Sequence, residues 1–484
     1  MSAQYALGRI GRGRLAVSAR NVRHMSSKVS KNAKSMSTMP ALDNDNSLMK
    51  IGGPAAWTGN ELQENKWWGY QIPDSALAEL DSALKHASTT SIDWDGDVPL
   101  NVDQSKFPLK AMGDILAEMS DELENGSGAC MLNNIPIEKY SLTELSVLYL
   151  GMCSYVGNVV NQSSAGLRSK SRGYGQPLGH VKAEMKGKTP LDGKQANNYF
   201  RLHTDRCDVI SLLSVRTASR GGHGRVASAV AIHDEMVNRA PDLVPLLYQP
   251  IERIWEGGER TPRHQASPRA TACHRLALAR SCRAPPPPLP SSPCAHLPRP
   301  TAAGEGVIAL PIWAFEEATG KFTTQISPSY IENAQFVNGV RKLTAGEIEA
   351  IDLIEEIGLE IGHDFLQEPG QLTFLNNHLV YHGRTAWKFA EADEVGLERD
   401  NIDNGRLLLR AWVSPYNSRP LPDTPTFNEM WGDVRAGMPR GGLEPAVKAG
   451  IKAKPPELIE AYATGKADYY GLYKRKFEGE DVTI

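Results

Sequence analysis

Apolar residues recur every three to four positions in two stretches near the start of the chain, 73–84 and 108–125, which predicts two amphipathic helices. The first opens on Pro73-Asp74 and reads as a capped helix. Ser141-Leu-Thr-Glu144 has the form of a capping box and starts another long helix that ends near Gly157. Between these, Gly128-Ala-Cys-Met-Leu132 predicts a short buried strand. From residue 199 onward the pattern changes to short apolar runs. They predict strands at 208–216, 225–232, 307–314, 321–326, 371–376, 378–382 and 406–414. Thr344-Ala-Gly-Glu347 caps one intervening helix, which runs to about Gly362. Many short strands interrupted by helices predict a mainly β fold with flanking helices and a double-stranded β-helix, or jelly-roll, core. The polar, Gly-rich stretch 158–200 predicts a lid, and 455–475 predicts a surface helix within a C-terminal helical extension at 431–484.

Two segments stand apart from this pattern. Residues 1–42 hold eight cations and no acid, and they are rich in Ser and Ala. Such a leader resembles a mitochondrial transit peptide, the alternative being a disordered basic tail. Residues 260–303 hold seven Arg, no acid, ten of the 32 Pro and three of the six Cys. That composition forms neither a helix nor a central strand. Its flanks, ending at Ile254-Trp-Glu-Gly-Gly and resuming at Gly304-Glu-Gly-Val, read as two halves of one element joined by a short turn. The block therefore reads as a retained intron translated in frame, or as a disordered insertion.

The charge balance changes once these segments are set aside. Taking their eight and seven cations from the total of 53 leaves 38 against 56 acids. An acidic core argues against nucleic acid or an anionic membrane as partner. No apolar run approaches the ~18–20 residues that span a bilayer. Cys130, Cys153 and Cys207 read as reduced packing thiols, because the few cysteines form no framework or zinc spacing.

The chemistry concentrates in three strings. His203-Thr-Asp205 places an imidazole and a carboxylate two residues apart, so that on a strand both face one side. His382, within Phe374-Leu-Asn-Asn377 to His382-Gly-Arg384, supplies a second imidazole from a distance. Two imidazoles and one carboxylate are the ligand set of a non-haem Fe(II) facial triad, with half of an octahedron left open. The triplet alone is weak, since chance also gives His233-Asp234-Glu235, where Asp234 reads as the cap of a helix beginning at Glu235. Support comes from Arg406-Leu-Leu-Leu-Arg410-Ala-Trp412. As a strand it puts Arg406, Leu408, Arg410 and Trp412 on one face, and Leu407, Leu409, Ala411 and Val413 on the other. Two arginines in so apolar a run call for anions, and a guanidinium fork matches a carboxylate.

With these strings and Gly221-Gly222, residues 50–430 resemble the TauD/TfdA dioxygenases, the taurine dioxygenase and clavaminate synthase type, interrupted by 260–303. The resemblance implies that His203, Asp205 and His382 bind Fe(II). It implies 2-oxoglutarate as co-substrate, with Arg406 on its far carboxylate and Arg410 meeting an anionic group of the substrate, or the two roles exchanged. The reaction implied is an O2-dependent hydroxylation, or other oxidation, of an unactivated C–H bond in a small molecule. One departure stands out: a Thr or Ser expected shortly after Gly-Gly is replaced by Gly224, so that either Ser228 substitutes or Arg406 acts without a hydroxyl. Two other readings remain open. One is a catalytically decayed jelly-roll binding module. The other is a zinc-dependent hydrolase using the same ligands, which requires a general base beside the metal.

Overall fold

The computed structural model describes residues 49–162, 175–182, 185–186, 189–190, 199–218, 220–255, 306–388, 406–443, 456–464 and 466. The leader at 1–42 and the block at 260–303 lie outside them, as does most of the predicted C-terminal helix beyond Pro456–Ala463.

The strands that matter to the site are β1 (Trp68–Gln71), β2 (Ala129–Asn133), β3 (Gly157–Val160), β4 (Leu178–Lys182), β5 (Phe200–His203), β6 (Val209–Arg216), β7 (Gly224–Ser228), β8 (Ile251–Ile254), β9 (Val307–Leu310), β10 (His363–Phe365), β11 (Leu372–Asn376), β12 (Val380–Arg384) and β13 (Leu407–Pro415). Among the described residues they form a 7-stranded sheet, in the order β1-β2-β11-β6-β13-β3 with β4 also on β13, a 4-stranded sheet, β10-β7-β12-β5, and a 2-stranded sheet, β8-β9. The five longest helices among the described residues are α1 (Asp74–Ala87), α2 (Ala111–Asn125), α3 (Leu142–Val156), α4 (Ala229–Arg239) and α5 (Ala345–Ile361).

The alternation along β13 explains how the large sheet is used. Leu409, Ala411 and Val413 join a core with the apolar faces of α1, α2 and α3. Each leucine buried there contributes roughly 2 kcal/mol of transfer free energy. Trp412, on the opposite face, belongs to a second core shared with α4 and α5. Strand β6 divides the same way, with Val209 and Leu213 toward the helices and Ile210 on the other side. The predicted two-faced strand is therefore present, and its arginine face points inward, between the sheets.

Several boundaries differ from the sequence expectation. The 225–232 run is a strand only to Ser228, whose hydroxyl accepts from Ala231 N and starts α4. Asp234 is thus not a cap; it sits inside α4 and accepts from the backbone N–H of Ile51 and Gly52. The 307–314 run is broken at Pro311, which has no N–H to give a ladder, into β9 and a second strand at Trp313–Phe315. Pro73 precedes α1 without a side-chain cap, whereas Ser141 and Thr344 both close full capping boxes. Within the expected lid, β3 and β4 pair with β13 as sheet strands; most of the rest of that stretch lies outside the described residues.

The flanks of the 260–303 block do form one element. β8 and β9 pair antiparallel from Ile251↔Leu310 to Ile254↔Val307, and Trp255 N donates to Gly306 O at 2.8 Å. No described helix is long and apolar enough to cross a membrane.

Candidate metal centre and its cavity

His203 ends β5, and His382 is its direct partner on the neighbouring strand β12. The two rings lie 4.2 Å apart, centroid to centroid. Asp205 stands two residues past His203, beyond the strand end. It is held there because Thr204 N donates to Ile326 O at 2.8 Å and Asp205 N to Asn377 Oδ1 at 3.0 Å. The i, i+2 geometry is thus supplied by pinned loop backbone rather than by a continuing strand. One ligand atom from each of His203, Asp205 and His382 lies within 4.8 Å of the others, and all three residues are buried. Among the described residues this is the one such group. His233, by contrast, is buried between Tyr248 OH, at 2.9 Å from Nε2, and Asp234, at 3.0 Å from Nδ1.

Hydrogen bonds behind the ligands fix their orientation. Nδ1 of His203 lies 2.8 Å from Arg201 O, a carbonyl that only accepts, so Nδ1 carries the proton and Nε2 presents its lone pair. Nε2 is 3.8 Å from Asp205 Oδ1. The other carboxylate oxygen, Oδ2, accepts from Trp412 Nε1 at 2.8 Å and from Arg410 Nη1 at 3.2 Å. Arg410 in turn donates from Nε to Gln162 Oε1 at 2.6 Å, and Gln162 Nε2 returns a bond to Arg410 O at 2.7 Å. Behind β5, buried Glu355 of α5 accepts from Leu202 N at 3.1 Å and from the Tyr199 hydroxyl. Burial holds the Glu355 carboxyl above its usual range.

These groups open on a cavity lined by both sheets. Its walls are apolar at Ile210, Leu212, Val226, Leu375 and Leu408, and cationic at Arg225, Arg384, Arg406 and Arg410. Among the described residues that line it, Asp205 is the one carboxylate. Arg225 donates from Nε and Nη2 to the two carboxylate oxygens of Asp364. Arg406 is 8% exposed and lies beside Gly222, whose φ of +74° suits glycine; a Cβ there would meet the Arg406 stem at 3.4 Å. Burial, reinforced by the Arg384 charge, pushes the Arg406 guanidinium down to about 9. A buried cation so disfavoured marks a place for an anion.

The remaining expectations resolve individually. Ser228 does not reach the cavity, because its hydroxyl donates to Ala55 O while accepting from Ala231 N. It is therefore no substitute for the hydroxyl missing at Gly224. Cys207 is buried, with Asn377 Nδ2 donating to its carbonyl at 2.9 Å, as a packing residue would be. Arg384 and Gln162 carried no assigned role in the sequence. Arg384 was legible as the second residue after His382 on one strand face, whereas Gln162 sits in a polar run that gives no signal.

A second polar cluster lies below the site and ties the C-terminal segment to the sheets. Asp208 accepts from His378 Nε2 at 2.6 Å, Arg440 Nε at 2.9 Å and Ser414 Oγ at 3.1 Å. Burial alone would raise this carboxyl, but Arg440 and His378 outweigh it and hold Asp208 down at about 2.

Residues 95–412 match the family described as taurine catabolism dioxygenase TauD, TfdA family. The chain is 26% identical to FR-33289 synthase of Streptomyces rubellomurinus (strain ATCC 31215) over 80% of its own length and 97% of that protein's. It is 22% identical to the taurine hydroxylase-like protein SAT17 of Stachybotrys chartarum (strain CBS 109288 / IBT 7711), covering 71% of this chain and 77% of that one. Among solved structures it resembles asparagine oxygenase in complex with Fe(II), 3-hydroxyasparagine and succinate, at 14% identity, with 72% and 93% of the two chains covered and a TM-score of 0.46. It also resembles the non-heme iron oxygenase OrfP in complex with Fe and alpha-ketoglutaric acid, at 11% identity, with 76% and 98% covered and a TM-score of 0.45.

Proposed function

Since the chain belongs to the TauD/TfdA dioxygenase family, whose cofactor is Fe(II) and whose co-substrate is 2-oxoglutarate, we propose that it oxidises an unactivated C–H bond of a small organic substrate, with His203, Asp205 and His382 holding the iron. The observation that carries this reading is the convergence of those three ligands beside a buried arginine, Arg406, in one cavity. The donor set fits: two imidazoles and a carboxylate suit Fe(II) and leave coordination positions for a co-substrate and O2. The two-sheet arrangement around the cavity supports a jelly-roll reading of the core.

Bound iron with 2-oxoglutarate supplies the oxidising power, and the chain supplies position and exclusion of water. Arg406, in the same cavity as the triad, would hold the far carboxylate of 2-oxoglutarate, and the keto acid end would then be free to meet the metal. Trp412 and Arg410 occupy Asp205 Oδ2, so Asp205 offers the metal Oδ1. The apolar walls keep bulk water from the reacting centre. Arg410 also lines the cavity, and an anionic group on the substrate would meet it there.

The rival readings find less support. A zinc hydrolase needs a general base near the metal, and the described lining residues offer no carboxylate besides the ligand Asp205. A decayed binding module has no need of a complete triad with its supporting hydrogen bonds. The test is succinate production from 2-oxoglutarate. It should require Fe(II) and O2, rise with a true substrate, and vanish in His382→Ala with the thermal transition retained. Succinate formation that persists in His382→Ala would refute the assignment.

A further inference from the structure

We infer that Phe365 is a specificity-determining residue for the co-substrate: its ring, seated on Gly224, walls the cavity between the metal ligands and Arg406 and admits only an unbranched 2-keto diacid. The inference rests on the function proposed above and adds to it the residue that shapes the co-substrate's surroundings.

The register of the small sheet sets the order of side chains along the cavity. His203, His382 and Val226 lie side by side across β5, β12 and β7, and His363 of β10 completes that row. Two residues along β12, β7 and β10, the next row is Arg384, Gly224 and Phe365. Steps of two keep side chains on one face of a sheet and separate the rows by about 7 Å. Beyond this second row comes Gly222, where a Cβ would meet Cδ and Nε of Arg406 at 3.4 Å. A ligand that reaches from the triad to Arg406 therefore crosses the row of Gly224 and Phe365.

The Phe365 ring fills that row. A Cβ on residue 224 would lie 2.9 Å from its Cζ and 3.0 Å from its Cε1, so the ring occupies the space that a side chain there would take. The hydroxyl expected at position 224 is thus replaced by an apolar ring, and glycine is the residue that lets the ring in. Phe365 lines the same cavity as Gly224 and Arg406. It is also packed from behind. The indole of Trp68 on β1 meets it edge to face, with centroids 4.9 Å apart and planes at 83°, and the His363 ring lies parallel to it at 5.9 Å. A wall supported in this way gives little, so a substituent pointing at it must displace the ring or be excluded. The two methylenes of 2-oxoglutarate are the apolar part of that molecule, lying between its charged ends, and they suit such a wall.

The experiment compares 2-oxoglutarate with its 3-methyl and 4-methyl derivatives, which add one methyl group to either methylene and keep both charged ends. Each is titrated anaerobically into the Mn(II)-loaded full chain by calorimetry, for wild type, Phe365→Ala and Phe365→Leu. The wild type should bind the more hindered derivative about 10- to 200-fold less tightly than 2-oxoglutarate, the discrimination typical of one methylene against a packed apolar wall. Phe365→Ala should shrink that gap by about 10-fold or more, because the space over Gly224 opens. Phe365→Leu removes the far edge of the ring but keeps an apolar side chain. It should shrink the gap in the same direction, and it decides the matter if Phe365→Ala does not fold. A wild type that binds all three ligands equally, or a gap that is the same in the wild type and both variants, would overturn the inference and leave the 2-oxoglutarate reading standing. A Mn(II)-loaded wild type that binds no 2-oxoglutarate would refute that reading, and this inference with it.

Discussion

The indole of Trp412 and the carboxylate of Asp205 are joined by a 2.8 Å hydrogen bond to Oδ2, the oxygen turned from His203. With Arg410 on the same oxygen, the carboxylate is fixed in one orientation before any metal arrives. Partners behind a metal ligand typically change metal affinity by about 10- to 100-fold. Trp412→Phe keeps the ring's bulk and loses the donor. It should weaken Mn(II) or Fe(II) binding by about that factor, with the thermal transition little changed. Metal titration checks this, and an unaltered affinity would show that the bond does not orient the ligand.

The Asp208 cluster predicts a pH dependence of stability. The folded-state value of about 2 lies below the ordinary aspartate value of 3.8, so the carboxylate's contribution is complete above the unfolded value and is lost as pH falls toward 2. The shift corresponds to about 2 kcal/mol. Urea unfolding at pH 5 and pH 2.5 should show the wild type losing stability over this range. Asp208→Asn should be destabilised by about 3–5 kcal/mol at pH 5, because it leaves the buried Arg440 uncompensated, and should lose less on acidification. Equal acid sensitivity in both proteins would contradict the assignment.

The β8–β9 hairpin bears on the Pro- and Arg-rich block. Because Ile254↔Val307 pairing and the Trp255–Gly306 bond already close the hairpin, a chain joining Glu259 directly to Gly304 keeps every described contact of both strands. Shortening the connection lowers its closure entropy by about 1–2 kcal/mol. The deletion should melt at the same temperature as the full chain or a few degrees higher. Aggregation, or a clear fall in melting temperature, would show that residues 260–303 carry structure.

Much of the site could be read before the fold, for a physical reason. Strand alternation placed Arg406, Arg410 and Trp412 on one face, and that face does line or support the cavity. The triad was legible because its chemistry limits the residue types. What alternation cannot give is the partner across the sheet. That Arg410 reaches Asp205, that Gln162 braces Arg410, and that Arg384 stands opposite Gly224 all depend on pairing between strands far apart in sequence. The helix start at Ser228 was missed because Ala-Val-Ala-Ile suits a strand as well as a helix, and its capping bond to Ala231 decides. The lid expectation failed at β3 and β4 because polar, Gly-rich composition does not exclude an edge strand, and β13 offered both a partner.

The most direct test of the account is spectroscopic. Anaerobic addition of Fe(II) and then 2-oxoglutarate to the wild-type chain should produce the weak visible charge-transfer band of a 2-keto acid chelated to Fe(II). Asp205→Ala should fail to form it, and Arg406→Ala should need a far higher 2-oxoglutarate concentration to reach it. Losing such a buried pair weakens binding by about tens- to thousands-fold. A wild-type protein that binds Fe(II) yet shows no band, or an Asp205→Ala protein that shows it at full strength, would contradict the central claim that His203, Asp205 and His382 hold an iron to which 2-oxoglutarate binds.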